Sequence, residues 1–275
     1  MRNKELYSVS EIKNMSYTDF VGFVNQWNVP PGAFVTLNKW RVFGNITAKS
    51  KLLEIACTTG FSSRELALNT GCSATGIDIS KKSIEAAKRN HELYAPNADL
   101  KYLVADGHSY SSEQKYTHAL VGAALRFFDN PQRALDHITN DLLEDNGVLL
   151  SCEFYVEKEI PKTLVEKAKK IFNMTITQQA YKEVMQVYKG LSLLYEDRNT
   201  IEMETDDELE HYTTSSIQKF NKENPGYSDE ALAVMHDRLL EIKQMSNDLR
   251  PYQRYNVLVH KKDSRIYPGR YTELF

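Results

Sequence analysis

Leu52-Leu53-Glu54-Ile55-Ala56-Cys57-Thr58-Thr59-Gly60 is the stretch that decides the fold. A short apolar run opens it, small and polar residues then turn the chain, and an amphipathic stretch follows over residues 62–70. That order reads as strand, tight loop and helix. Glu54 interrupts the apolar run, and a carboxylate there is expensive to bury unless it meets a donor such as a backbone amide or a ligand amine. Ala56, Thr58 and Gly60 are small where the chain turns, so a ligand can approach the backbone and the amino end of the helix. A tight turn with no ligand is the plain alternative.

The pattern repeats outward from this loop. Residues 74–79 form a second strand, and Ser80 stands in the N-cap position of a helix reaching about residue 94. Strands follow at 101–105, 118–122 and 148–154, with a helix over 131–143 and a turn at Asn146-Gly147. Strands alternating with helices of this length imply parallel pairing through right-handed crossovers. The fold class is α/β: a Rossmann-like, mostly parallel seven-stranded sheet with an antiparallel last strand and a helical cap insertion. In such sheets ligands lie at the carboxyl ends of the strands.

The expected organisation is an N-terminal helical segment over residues 1–50 covering the active site, a core over 51–204 plus 251–262, a helical cap over 205–250 and a tail over 263–275. Helical patterning runs over 161–188, a sixth strand over 191–195 and the last strand over 255–260. The tail carries Tyr267-Pro-Gly-Arg-Tyr271, which can pack on the core, close the pocket or meet a second subunit in a homodimer.

Composition bounds the function classes. In 275 residues, 41% are hydrophobic and 26% charged, as in a chain that buries a core. A net charge of -3 provides no field for a polyanion, so nothing argues for nucleic acid. Cys57, Cys72 and Cys152 lack the paired spacing of a zinc ribbon or redox dithiol, which fits a reducing compartment. Residues 1–19 lack the apolar run of a signal peptide or membrane span, so the expected location is the cytoplasm. The seven histidines form no metal spacing, so no metal is expected.

Two further acids sharpen the site. Asp78 ends the second strand, where α/β nucleotide folds place a carboxylate on two ribose hydroxyls. Asp106-Gly107 ends the third, placed to take an adenine amino group. Together with Gly76-Ile77-Asp78-Ile79-Ser80, Ala105-Asp106-Gly107 and Asn146-Gly147-Val148-Leu149, the opening stretch resembles the class I S-adenosylmethionine-dependent methyltransferases. It is most similar to their small-molecule branch, which includes the ubiquinone and menaquinone methyltransferases.

The resemblance covers roughly residues 50–155. It implies an enzyme that transfers a methyl group from S-adenosylmethionine to a small-molecule acceptor and releases S-adenosylhomocysteine. Glu54 would sit near the methionine amino group, and the backbone of Ala56, Cys57, Thr58 and Gly60 would pass under the cofactor. Asp78 would bind the ribose, Ile79 would pack on the adenine, Asp106 and Gly107 would meet its amino group, and Gly122 and Ala123 would flank the methionine part. The family usually has glycine at the positions of Ala56 and Thr58. Alanine and threonine narrow the space there and bar backbone angles that only glycine reaches cheaply.

Rival nucleotide motifs fit less well. Read as a dinucleotide fingerprint from Ala56, the loop would keep no glycine, and Phe61 would obstruct helix packing. No Gly-Lys-Ser or Gly-Lys-Thr follows, so a mononucleotide P-loop fails too. Another transferase using a related donor, such as an aminopropyl transferase, and a non-catalytic S-adenosylmethionine-binding protein stay open.

On the acceptor side, methyl transfer from a sulfonium is an in-line substitution that needs alignment and water exclusion more than a base. Trp27 and Trp40 are candidates for a pocket wall by cation–π contact. Arg126, Phe127, Glu153 and Tyr155 follow the fourth strand or lie in the fifth and should face the donor methyl. Glu153, His211 and Tyr212 are the weak acid/base candidates.

Overall fold

The computed structural model describes residues 6–262, so the tail expected over 263–275 lies outside the described residues. Its frame is one seven-stranded sheet in the order β3-β2-β1-β4-β5-β7-β6. The strands are β1 (Lys51–Ile55), β2 (Ser73–Asp78), β3 (Leu100–Val104), β4 (Tyr116–Gly122), β5 (Leu143–Val156), β6 (Ser192–Asn199) and β7 (Gln253–Lys261). The first five pair in parallel, and β7 runs antiparallel to both β5 and β6. This is the mixed Rossmann-like sheet expected from the sequence. Leu52, Leu53, Glu54 and Ile55 are all buried, as a central parallel strand covered on both faces requires.

Among the described residues, ten α-helices join and cover the strands. They are α1 (Val9–Asn14), α2 (Tyr17–Phe23), α3 (Ala33–Phe43), α4 (Phe61–Thr70), α5 (Lys81–Tyr94), α6 (Pro131–His137), α7 (Lys162–Phe172), α8 (Tyr181–Val184), α9 (Asp206–Glu223) and α10 (Asp229–Leu249). Ser80 caps α5 as expected, its side chain accepting from the Ser83 amide.

Two expectations change. Helical patterning over 161–188 breaks into α7, an irregular stretch and the short α8, because Asn173 takes a left-handed conformation that ends α7. Asn146-Gly147 turns the chain inside the span of β5 and not ahead of it: Leu143 already pairs with Tyr116, residues 144–147 then stand against Thr117 alone with Asn146 at φ 65°, and pairing to β4 resumes at Val148.

Strand order reverses direction between β1 and β4, where the chain leaves β1 toward one side of the sheet and β4 toward the other. A crevice opens at such a switch point, at the carboxyl ends of the strands. Above it, α10 buries Ala231, Met235, Leu239, Ile242, Met245 and Leu249 along one seam. That seam joins Ile12 and Phe20 from the N-terminal helices and Ala168 and Phe172 from α7 in one cluster. Arg238 ties the layers together: its guanidinium donates to the carbonyls of Ile12 and Met15, each at 2.5 Å, and stands 4.4 Å from the Phe20 ring centre.

Candidate active site

A cavity of 430 Å³ occupies the switch point. Glu54, Ala56, Thr58 and Ser62 line it from the β1 side, and Gly122, Ala123 and Phe127 from the β4 side. Tyr17 and residues 26–33 close one flank, while Phe172, Met174, Ile176, Ile242 and Leu249 form an apolar chamber beneath α10.

Glu54 is 5% exposed and accepts the Ser63 amide at 3.0 Å, one of the otherwise orphaned donors of α4. A backbone amide therefore meets its desolvation need, and burial still holds its pKa above the ordinary carboxylate value. Asp78 is equally buried, and both its oxygens are engaged: Oδ2 accepts the Thr58 amide at 3.0 Å and Oδ1 the Ser80 amide at 2.8 Å. Burial dominates there too and raises its pKa. One carboxylate thus joins the β1 loop to the β2 loop, leaving each oxygen a further lone pair. The Cys57 amide donates to Ile77 and the Ala105 amide to Asp78, so three successive strand ends are stitched by backbone.

The loop adopts the angles that its side chains were expected to bar. Ala56 has φ 55° and Thr58 φ 48°, beside Gly60 at φ 73°. Among the described non-glycine residues, positive φ occurs at four asparagines, which tolerate it, and at Ala33, Ala56, Thr58 and Ala123. All four of these last residues line the cavity. Backbone strain is therefore concentrated at the site, held by bonds such as Thr58 to Asp78 and Ala123 to Cys152. Thr58→Gly is expected to stabilise the protein by about 1 kcal/mol and Ala56→Gly by somewhat less. Urea unfolding would measure this, and a loss of stability in both variants would contradict the strain.

Other candidates divide by location. Ile79 is 68% exposed at the end of β2, and Asp106 is exposed at the end of β3, where it accepts from the His108 amide at 2.8 Å. That bond holds the Asp106 pKa below the usual range. Both lie outside the cavity lining, on the open shoulder beside it. Cys57 contributes only backbone, since its thiol is buried toward Gly76. Gly107 is needed on its inner side: a Cβ there would meet Ile55 at 2.9 Å and Phe128 at 3.0 Å.

Five candidates are displaced from the expected pocket. Trp40 is 0% exposed, with its indole N–H on the Ser151 carbonyl at 3.2 Å, so it is core and not pocket wall. Arg126 turns away, donating to the Val184 carbonyl at 2.5 Å, because the 3-10 turn of residues 125–127 rotates each successive side chain by about 120° and aims Phe127 inward. Tyr155 shares a pleat face with Glu153 but lies about 7 Å further along the strand. It lines a different pocket, edge-on to Tyr181. His211 is exposed on α9, and the Tyr212 ring lies under the Lys243 ammonium; neither lines the cavity.

Glu153 does reach the cavity wall but is 1% exposed, accepting from the Tyr188 hydroxyl at 2.7 Å with the Arg126 guanidinium 3.8 Å away. Arg126 and Glu153 therefore answer each other. Burial pushes the Glu153 pKa to about 7 against these two partners. A carboxyl whose folded pKa exceeds its unfolded value favours the fold at low pH and loses that contribution as pH rises from about 4.5 to about 7. Wild type should lose about 3 kcal/mol more than Glu153→Gln between pH 4.5 and 8. Equal pH dependence in the two proteins, by urea titration, would contradict this.

Trp27 lines the cavity, but the Arg64 guanidinium stands 4.7 Å and the Lys219 ammonium 5.2 Å from its ring centre. Protein cations already use its π density. Its indole N–H, the Gln26 Oε1 and the Arg64 Nη1 are buried without partners among the described residues. Gln26, Lys243 and Ser246 escaped sequence reasoning; the signal for the latter two was their recurrence with Ile242, Leu249 and Arg250 on one face of α10.

Residues 46–189, just over half of the chain, match a methyltransferase domain family. The chain belongs to that family. Among solved structures it is similar to the MccD protein, at 30% identity and a TM-score of 0.68, with 86% of this chain and 100% of that one covered. A methyltransferase from Geobacter sulfurreducens in complex with S-adenosyl-L-homocysteine shares the fold at 16% identity and a TM-score of 0.66, with 88% of this chain and 96% of that one covered. A protein of Haemophilus influenzae described only as uncharacterised is 21% identical over 162 residues, 58% of this chain. The matched region spans 64% of that relative's length. Membership of the methyltransferase family accounts for the switch-point cavity, while the reaction must be argued from the site. No described helix is long and apolar enough to cross a membrane, and no described group of three or more His, Cys, Asp or Glu side chains could hold a metal ion.

Proposed function

We propose that this protein is an S-adenosylmethionine-dependent methyltransferase of the small-molecule branch, acting on an acceptor held in the apolar chamber beneath α10. The carrying observation is one continuous cavity that runs from the Glu54 loop past Gly122 and Ala123 into that chamber.

The residues present fit the cofactor. Among the described residues that line the cavity, Gln26 Oε1 is an orphaned acceptor and Trp27 Nε1 an orphaned donor, a pair that the ammonium and carboxylate of an amino acid end would satisfy. Asp78 would hold the ribose with its remaining lone pairs, Ile79 offers an exposed apolar face to the adenine, and Asp106 an exposed carboxylate to its amino group. Glu54 adds negative charge near the amino end. Bound S-adenosylmethionine supplies an activated methyl on a sulfonium.

Within the chain, the work is alignment and exclusion of water. Phe172, Ile176, Ile242 and Leu249 desolvate the acceptor, and the helical segments within 6–50 and 205–250 act as the cover. Glu153, with a pKa near 7, is the carboxylate on the wall that can accept a proton at neutral pH. Calorimetry should detect both S-adenosylmethionine and S-adenosylhomocysteine, and absence of binding at millimolar concentration sinks the reading. With binding established, labelled methyl should pass to a small molecule of a metabolite extract; label found only in macromolecules would refute the acceptor class.

A further inference from the structure

Within the chamber beneath α10, charge and shape do not match a purely apolar acceptor. Lys243 lines the cavity, and its ammonium rests 4.0 Å from the centre of the Tyr212 ring. Among the described residues, no carboxylate comes within 4.0 Å of that nitrogen, and none accepts a hydrogen bond from it. Glu204, whose charge does act on Lys243, is paired elsewhere: its Oε2 accepts from Arg250 at 2.6 Å, and Arg250 also donates to the Glu202 carbonyl at 2.6 Å. Arg250 thus shares the charge of Glu204, and among the described residues Lys243 has no carboxylate of its own in contact. Burial opposes its charge and lowers its pKa, a cost that an anion in the cavity would offset.

The polar groups around it form one patch. Lys243, Ser246 and Arg250 recur at helical spacing on α10, and Gln253 joins them from the start of β7. Tyr17, Phe172, Met174, Ile176, Ile242 and Leu249 supply the apolar part of the chamber, with Thr177 beside them, while the carboxylates Glu54 and Glu153 belong to the cavity's walls at the strand ends.

We infer that the acceptor is an amphipathic small molecule bearing an anionic oxyacid group, a carboxylate or a phosphate monoester, which docks on Lys243 while its apolar body fills the chamber toward Ala123. This rests on the methyltransferase reading for the word acceptor, but the anion site can be tested apart from it.

The full chain is titrated by calorimetry with phenylacetate, phenyl phosphate and the neutral phenylacetamide, with and without S-adenosylhomocysteine. At least one acid should bind about 10- to 100-fold more tightly than the amide. Lys243→Met should erase that preference, and Lys243→Arg should keep most of it. The stronger acid identifies carboxylate or phosphate. Amide binding as tight as the acids, no acid binding up to 50-fold below saturation of the solution, or a preference that survives Lys243→Met would each overturn the inference. Loss of turnover in Lys243→Arg with acid binding intact would instead make Lys243 a proton acceptor and also overturn it. A chain that binds the acids but not S-adenosylhomocysteine keeps the anion site and refutes the proposed function, so the two failures are distinguishable.

Discussion

Asp78→Ala should weaken binding of S-adenosylhomocysteine at least about 100-fold in calorimetry, the loss of the two charge-assisted hydrogen bonds proposed to the ribose hydroxyls. The same substitution removes the acceptor of the Thr58 and Ser80 amides. Two backbone donors would then lie in a largely buried corner without partners, costing about 2–4 kcal/mol of stability. Thr58 would also lose the bond that holds it at φ 48°, so the loop should relax toward ordinary backbone angles. Loop and ligand effects separate in Asp78→Asn, whose amide oxygen can still serve one backbone donor while the charge is gone. Affinity within threefold of wild type in the alanine variant would show that the ribose does not lie on this carboxylate.

Gly60→Ala should destabilise the protein by about 3 kcal/mol in urea unfolding, from two additive causes. Gly60 has φ 73° at the N-cap of α4, where an L side chain is strained. A Cβ there would also lie 2.7 Å from the Tyr102 ring. That ring cannot retreat cheaply: Tyr102 is 4% exposed, donates to the Gly60 carbonyl at 3.1 Å and shares a 3.1 Å hydrogen bond with Ser63. Gly71→Ala separates the causes, since Gly71 has φ 76° but its nearest neighbour would be 3.4 Å away. It should lose only about 1 kcal/mol, the backbone share. Equal losses in the two variants would mean that the Tyr102 contact contributes nothing.

Legibility differed by element for physical reasons. β1 and β2 and the Ser80 cap could be read because their signals are local: an apolar run, an acid at its end, a hydroxyl before a helix. The apolar run over 255–260 also carried the last strand, but not its place: read as returning to the sheet edge, it inserts between β5 and β6, and β6 stands at the edge, because strand order is set by tertiary pairing. By contrast, Trp27 and Trp40 look alike in the sequence, yet one lines the cavity and the other is sealed in the core. Arg126 and Phe127 are neighbours, and only the 3-10 turn decided which faces inward.

By itself, the sequence determined the sheet, the end of it that carries the cavity and the three acids Glu54, Asp78 and Asp106 at successive strand ends, because strand periodicity and loop composition act over a few residues. Tertiary structure alone decided that Ala56 and Thr58 would accept positive φ, and that Lys243 would face the cavity with no carboxylate in contact among the described residues. Those outcomes depend on partners far away in the chain, Asp78 for the loop and the Glu204–Arg250 pair for the lysine, whose approach no local pattern encodes.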